Sequence, residues 1–154
     1  MNVGTPDSPK VHDVRKYLTQ FLNDPRVIDI PWLARTLLVN AIIVPFRAPK
    51  SAKIYKQMWT DEGSPLLIHS ESFRDGLQAD LGEEYQVEIA MRYQSPSVDE
   101  GLEKIRKNNP EKIIVVPMYP HYASSSTGTC FEEVMRIASK WWAMPEMVFV
   151  NQFY

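Results

Sequence analysis

Apolar residues recur along this chain in two rhythms, and their alternation predicts helices interleaved with strands. After Gly4-Thr5-Pro6, Val11, Val14, Leu18, Phe21 and Leu22 follow helical spacing and define an amphipathic helix ending near Asn23-Asp24-Pro25. Leu33 to Val44 reads as a second helix, apolar on most sides and in need of a covering surface, and Ala48 to Met58 reads as a third. Ser64-Pro65 is a good helix start, because serine can cap free amides and proline at the first helical position lacks one; this helix should run to about Leu81. Val87 to Met91 reads as a strand. Ser97-Val98-Asp99-Glu100 is a capping box, with Val98, Leu102 and Ile105 as the buried stripe of its helix. Lys112 to Met118 is the next strand, and Ile113 to Val116 within it has the β-branching of a parallel strand buried on both faces. Thr129-Cys130-Phe131-Glu132 is a second capping box. Its helix should bury Phe131, Val134, Met135, Ala138 and Trp142 before a last strand at Met147 to Asn151.

Strands alternating with helices imply an α/β fold with a parallel sheet flanked by helices. An apolar strand should lead into Gly4-Thr5-Pro6, yet only Met1, Asn2 and Val3 precede that turn, so the first strand is expected to be largely missing. Loss of an interior strand exposes ladder edges and an apolar face, from which self-association is expected. The 12 prolines are scattered rather than gathered into a linker, and 154 residues with 44% hydrophobic content suit one domain. A net charge of −2 with no basic run gives no footprint for nucleic acid. A single cysteine, Cys130, precludes an internal disulfide; no apolar stretch reaches the roughly 18 residues of a membrane span, and no leader pattern opens the chain. A cytoplasmic location is the expectation.

The segment Pro117-Met118-Tyr119-Pro120-His121-Tyr122-Ala123-Ser124-Ser125-Ser126-Thr127-Gly128-Thr129 follows an apolar strand and precedes a helix. Open α/β sheets bind ligands at the carboxyl ends of such strands, so this loop sits where chemistry is expected. His121 can ligate a metal or accept a proton, but no His or Cys pair has metal-ligand spacing. The hydroxyls of Ser124 to Thr129 at a helix N-terminus also suit a phosphate or nucleotide, although neither a Walker sequence nor a dinucleotide glycine pattern is present. Arg47, Tyr55 and Ser64 taken alone read as a surface arginine, a packed tyrosine and a helix cap. Arg92 and Tyr93 follow a predicted strand, where either a ligand contact or a structural ion pair fits.

Together with Asn2-Val3-Gly4-Thr5-Pro6-Asp7-Ser8-Pro9, Asp24-Pro25-Arg26-Val27-Ile28-Asp29-Ile30-Pro31, Gly63-Ser64-Pro65-Leu66 and Met91-Arg92-Tyr93, this loop makes the chain closely resemble the ferrochelatases. These enzymes insert ferrous iron into protoporphyrin IX to make haem b. The resemblance spans the whole chain but only the N-terminal half of a ferrochelatase. It implies that residues 1–154 form the N-terminal, chelatase-like domain of a two-domain enzyme, a three-layer sandwich that supplies one wall of a porphyrin cleft. By the same resemblance Arg47 holds a propionate, Tyr55 and Ser64 lie on the propionate side, and Val3 faces the macrocycle. Arg92, Tyr93, Tyr119, His121, Ser124 and Ser125 also line the cleft, with His121 an accessory catalytic or iron-contact residue. The Trp32 to Ile43 segment, with Tyr17 and Phe21, would form the lip and touch a membrane surface, or else pack as an ordinary core helix. Ferrous iron is a substrate rather than a resident cofactor. Ser124 stands where some relatives carry a cluster-binding cysteine, so no iron–sulfur cluster is expected. The histidine and glutamate held responsible for metalation lie in the family's second half, the expected partner of this chain. Little iron insertion is therefore expected from it alone, and a porphyrin-binding module without turnover is the alternative.

Overall fold

The computed structural model describes residues 1–153. Four short strands pair in parallel. Strand β1 (Asn2–Gly4) lies beside β2 (Met91–Tyr93), with Asn2 opposite Met91 and Gly4 opposite Tyr93. Strand β3 (Lys112–Val115) pairs with β4 (Glu146–Phe149), from Lys112 opposite Glu146 to Val115 opposite Phe149. Met1 stitches the two ladders: its ammonium donates to the Val116 carbonyl at 2.7 Å, and its carbonyl accepts from the Met118 amide at 2.7 Å. Gly4 closes β1 at φ 113°, and a Cβ there would stand 2.1 Å from the Tyr93 carbonyl oxygen. Only glycine fits so close an approach.

Partner length sets strand length. Because β1 is three residues long, its ladder holds only 91–93, so β2 starts where the expected strand Val87 to Met91 ends. Arg92 and Tyr93 are thus within the strand rather than after it. Strand β3 stops at Val115 instead of reaching Met118, since Pro117 has no N–H with which to continue a ladder. Strand β4 is Glu146–Phe149 rather than Met147 to Asn151, in step with β3. The reading of Ile113 to Val116 as buried on both faces is also corrected: Ile113 and Val115 are buried, whereas Ile114 and Val148 face outward, and among the described residues no helix covers them.

Among the described residues six α-helices complete the fold: α1 (Val11–Leu22), α2 (Trp32–Leu37), α3 (Val44–Met58), α4 (Pro65–Leu81), α5 (Val98–Arg106) and α6 (Thr129–Ala138). A π-helical segment, Leu38–Ile43, joins α2 to α3, so Trp32 to Met58 is one rod where the sequence predicts two helices. Pro45 sits in the first turn of α3, where a missing amide costs least, and the wider π turn before it carries the rod across the expected break. Helix α5 has its capping box, Glu100 N donating to Ser97 Oγ at 3.2 Å and Ser97 N to Glu100 Oε2 at 2.7 Å. Helix α6 lacks the second box. A π turn, Ser124–Gly128, runs straight into it, and Gly128 already has helical dihedrals, so no free helix start exists at Thr129. The buried stripe of α6 is Cys130, Val134, Ile137 and Ala138, with Phe131 half-buried. Met135, at 57% exposure, lies on the outer face, and Trp142 projects into solvent beyond the helix end, both contrary to expectation.

Two hydrophobic clusters hold these elements. One joins α1 to the rod and β2 through Val14, Leu18, Leu22, Val39, Val44, Ala48, Ala52 and the rings of Tyr17 and Tyr93. The other packs Val98 and Leu102 of α5 and Val134 and Ile137 of α6 on Ala90, Ile113 and Val115 of the sheet region. The outer face of the rod stays open, with Trp32 69% and Phe46 71% exposed. No helix among the described residues is long and apolar enough to cross a membrane.

Candidate functional site

The first cluster ends in a floor of aromatic rings. Tyr17 of α1 stacks on Phe21 at 6.0 Å and meets Tyr55 of α3 and Tyr93 of β2 edge-on at 6.3 and 6.4 Å. Phe21 meets Tyr93 at 5.5 Å. Helical spacing on α1 puts Tyr17 and Phe21 on one face, and the end of β2 delivers Tyr93 to the same place. Val3 and Tyr55 pack half-buried against this cluster. Burial pushes the Tyr17, Tyr93 and Tyr119 phenols well above their ordinary values, and Tyr55 is raised for the same reason. These rings are neutral walls across the physiological range. The Tyr119 hydroxyl is buried beside the Val3 backbone.

Arg47 is exposed on α3, close enough to Tyr55 for its charge to act on that phenol, and makes no ion pair or hydrogen bond with a described residue. A guanidinium left free beside an aromatic floor is a ready partner for a ligand carboxylate.

Behind the floor lies a buried polar hub that the sequence did not announce. The side chain of Asp24, 3% exposed, follows α1, and its Oδ2 accepts from Arg92 Nη2 at 2.8 Å, from the Tyr93 hydroxyl at 2.8 Å and from the Thr129 hydroxyl. Its Oδ1 accepts from the Arg26 amide at 2.7 Å. Burial alone would raise this carboxyl, but Thr129, the Arg26 amide, Tyr93 and Arg92 outweigh it and hold Asp24 below the ordinary carboxylate value. Arg92 Nε also donates to Thr129 Oγ1 at 2.7 Å, and Nη1 stands 4.0 Å from Glu133. The guanidinium of Arg92 is thus engaged on three sides by the protein. It borders a 450 Å³ polar pocket with Lys16, Gln20 and Ser97.

The hydroxyl loop is tied to this hub. Arg26 donates from Nη1 to Ser124 Oγ at 3.3 Å and pairs through Nε with Glu132. Thr127, Gly128 and Thr129 are buried, whereas His121, Ser124 and Ser125 are exposed. Ser64 is buried and donates to Thr5 Oγ1 at 2.8 Å rather than capping α4. It borders a second cavity of about 620 Å³ with Trp59, Leu67 and Ile89. Among the described residues no three His, Cys, Asp or Glu side chains gather into a metal site.

The expected site residues therefore fall into groups. Val3, Tyr55 and Tyr93 share the floor, Arg47 and Tyr119 stand next to it, His121, Ser124 and Ser125 sit on the loop, Arg92 is in the hub and Ser64 borders the second cavity. Tyr17 and Phe21 belong to the core floor and not to a lip, because α1 turns them inward onto Tyr93. Asp24 and Arg26 were missed. Asp24-Pro25 reads as a helix stop, and only the three-dimensional convergence of α1, β2 and α6 reveals a buried carboxylate.

Short parallel strands with flanking helices define an α/β protein. The chain belongs to the ferrochelatase family, whose model matches residues 1–154. It is similar to ferrochelatases of Coxiella burnetii, 42% identical over 154 residues, and of Chromobacterium violaceum, 44% identical over 158 residues. That of Thioalkalivibrio sulfidiphilus is 41% identical over 157 residues. These matches cover 99–100% of this chain but 42–43% of each relative, so the chain spans less than half the length of the curated relatives it matches.

Proposed function

We propose that residues 1–154 supply one wall of a porphyrin cleft in a protein that inserts ferrous iron into protoporphyrin IX, and that they are the N-terminal domain of a two-domain enzyme. The observation that carries this reading is the exposed Arg47 guanidinium, unpaired among the described residues, beside the half-buried Tyr55 ring, which packs edge-on to the buried Tyr17. A flat apolar macrocycle with ionised propionates asks for that combination, an apolar face plus a fixed cation. In this reading Arg47 bonds a propionate, with Tyr55 and Ser64 on the same side. Val3, Tyr93 and Tyr119 face the ring, and Arg92 backs the wall. His121, Ser124 and Ser125 present polar atoms from the loop, with His121 the group nearest in chemistry to an iron contact. Metal insertion also needs a base for the pyrrole protons, and that base and the opposite wall belong to the remainder of the cleft. The exposed face of the rod, with Trp32, Leu37, Ile42 and Phe46, offers a peripheral membrane contact on the cytoplasmic side.

Burial of Thr127, Gly128 and Thr129 and the continuity of the π turn with α6 close the helix start that a phosphate would need. Titration of the chain with protoporphyrin IX and, separately, with ATP tests the reading. Quenching of Tyr and Trp fluorescence by porphyrin, with no response to ATP, is the expected result; binding of ATP alone overturns it. In an anaerobic assay with ferrous iron the chain should turn over little or no porphyrin.

A further inference from the structure

We propose that Asp24 is a positioning residue, a buried carboxylate that latches the end of β2 to the hydroxyl loop and so fixes segment 119–128 in its ligand-facing shape before the ligand arrives. The consequence for binding rests on the porphyrin reading above; the latch itself rests on geometry. Three donors converge on one oxygen: Arg92 and Tyr93 from β2, and Thr129 from the start of α6. The other oxygen caps the turn that carries Arg26, whose side chain reaches Ser124 and Glu132 on the far side of the loop. Gly128 lies beside this clasp, where a Cβ would stand 3.1 Å from Arg26 Nη1.

An ionised carboxylate suits the place because it only accepts and can serve several donors at once. An asparagine of the same shape would turn an NH₂ group on one side and leave the Arg92 charge only the longer 4.0 Å pair with Glu133. Segment 119–128 carries Tyr119, His121, Ser124 and Ser125, so its order before binding lowers the entropy cost of meeting a rigid macrocycle. Asp24 touches no ligand in this account and acts through Arg92, Tyr93 and Thr129.

Asp24→Asn and Thr129→Val, made separately in the 154-residue chain, are compared with wild type by hydrogen exchange and by protoporphyrin IX titration. In Asp24→Asn, amides of 119–128 should exchange at least ten-fold faster while those of α3 keep their protection, and Thr129→Val should show a smaller change in the same amides. Porphyrin affinity should fall about five-fold or more in Asp24→Asn, and adding Arg92→Gln should cause little further loss, because the two residues act as one unit. Unchanged exchange of 119–128 in either variant overturns the latch whatever the porphyrin result, and additive losses in the double variant overturn the claim that Asp24 works through Arg92. If Asp24→Asn does not fold, Thr129→Val decides alone. Faster loop exchange with no porphyrin binding by wild type would support the latch and refute the porphyrin reading.

Discussion

Arg47 and Arg92 carry the same charge into opposite surroundings. Arg47 stands on the solvent side of a helical rod with no partner among the described residues, whereas the Arg92 side chain is 18% exposed and shares a carboxylate with Tyr93 and Thr129. An exposed, unpaired guanidinium is poised for a ligand because little must be broken before it binds. A guanidinium already engaged by Asp24, Thr129 and Glu133 has its geometry fixed by the protein, and its contribution is rigidity. Residue type does not separate the two; their neighbours do.

The sharpest way to break the contrast is to unbalance the hub. Asp24→Ala removes the 2.8 Å partner of the partly exposed Arg92 and leaves the Tyr93 and Thr129 hydroxyls without their acceptor. It should lower stability by about 3–5 kcal/mol, read from urea unfolding; a loss below ~1 kcal/mol would place Arg92 in the same class as Arg47. The hub should also shape the acid response. The Asp24 carboxyl is lowered in the fold, so its contribution is complete above its ordinary value of 3.8 and is lost as pH falls from there through the folded value. The fall in stability below about pH 4 should be shallower in Asp24→Asn than in wild type. Next in size is Gly4→Ala, which forces a Cβ against the Tyr93 carbonyl at a left-handed φ and should cost about 3 kcal/mol while displacing β1 from β2. On the rod, Ile42→Ser and Phe46→Ser should change stability by no more than about 0.5 kcal/mol, as expected for exposed positions. They should reduce binding to lipid vesicles and self-association, read by co-sedimentation and sizing.

Helices were the legible part of the fold. Periodicity located α1, Ser64-Pro65 marked the start of α4, and Ser97 with Glu100 announced the start of α5, because these signals reside within a few neighbouring residues. Strand limits were not legible in the same way. A ladder needs a partner, and the three residues of β1 decide where β2 can form, whatever the apolar run Val87 to Met91 suggests. The rod from Trp32 to Met58 was hidden by Pro45, which marks a break in a sequence but lies harmlessly in the first turn after a π segment. Within the site, Arg47, Tyr55 and the loop of His121 stood out through motifs. Asp24 lay in a block of the family resemblance, but its role did not show there, since it comes from residues 68 to 105 positions away. Extending β1 by about eight apolar residues before Gly4, near the upper end of ordinary strand length, should lengthen its ladder with β2 and raise stability in urea unfolding.

Arg47, unpaired among the described residues, is proposed to hold a propionate. The most direct measurement compares protoporphyrin IX with its dimethyl ester in equilibrium titrations of wild type and Arg47→Ala. Arg47→Ala should weaken binding of the free acid by about 1.5–3 kcal/mol, the range for a hydrogen bond to a charged group, and bind the ester as wild type does. His121→Ala should affect acid and ester alike. Equal binding of the free acid by folded wild type and folded Arg47→Ala would contradict the claim and move the propionate to another cation, with Lys50 the nearest along the rod.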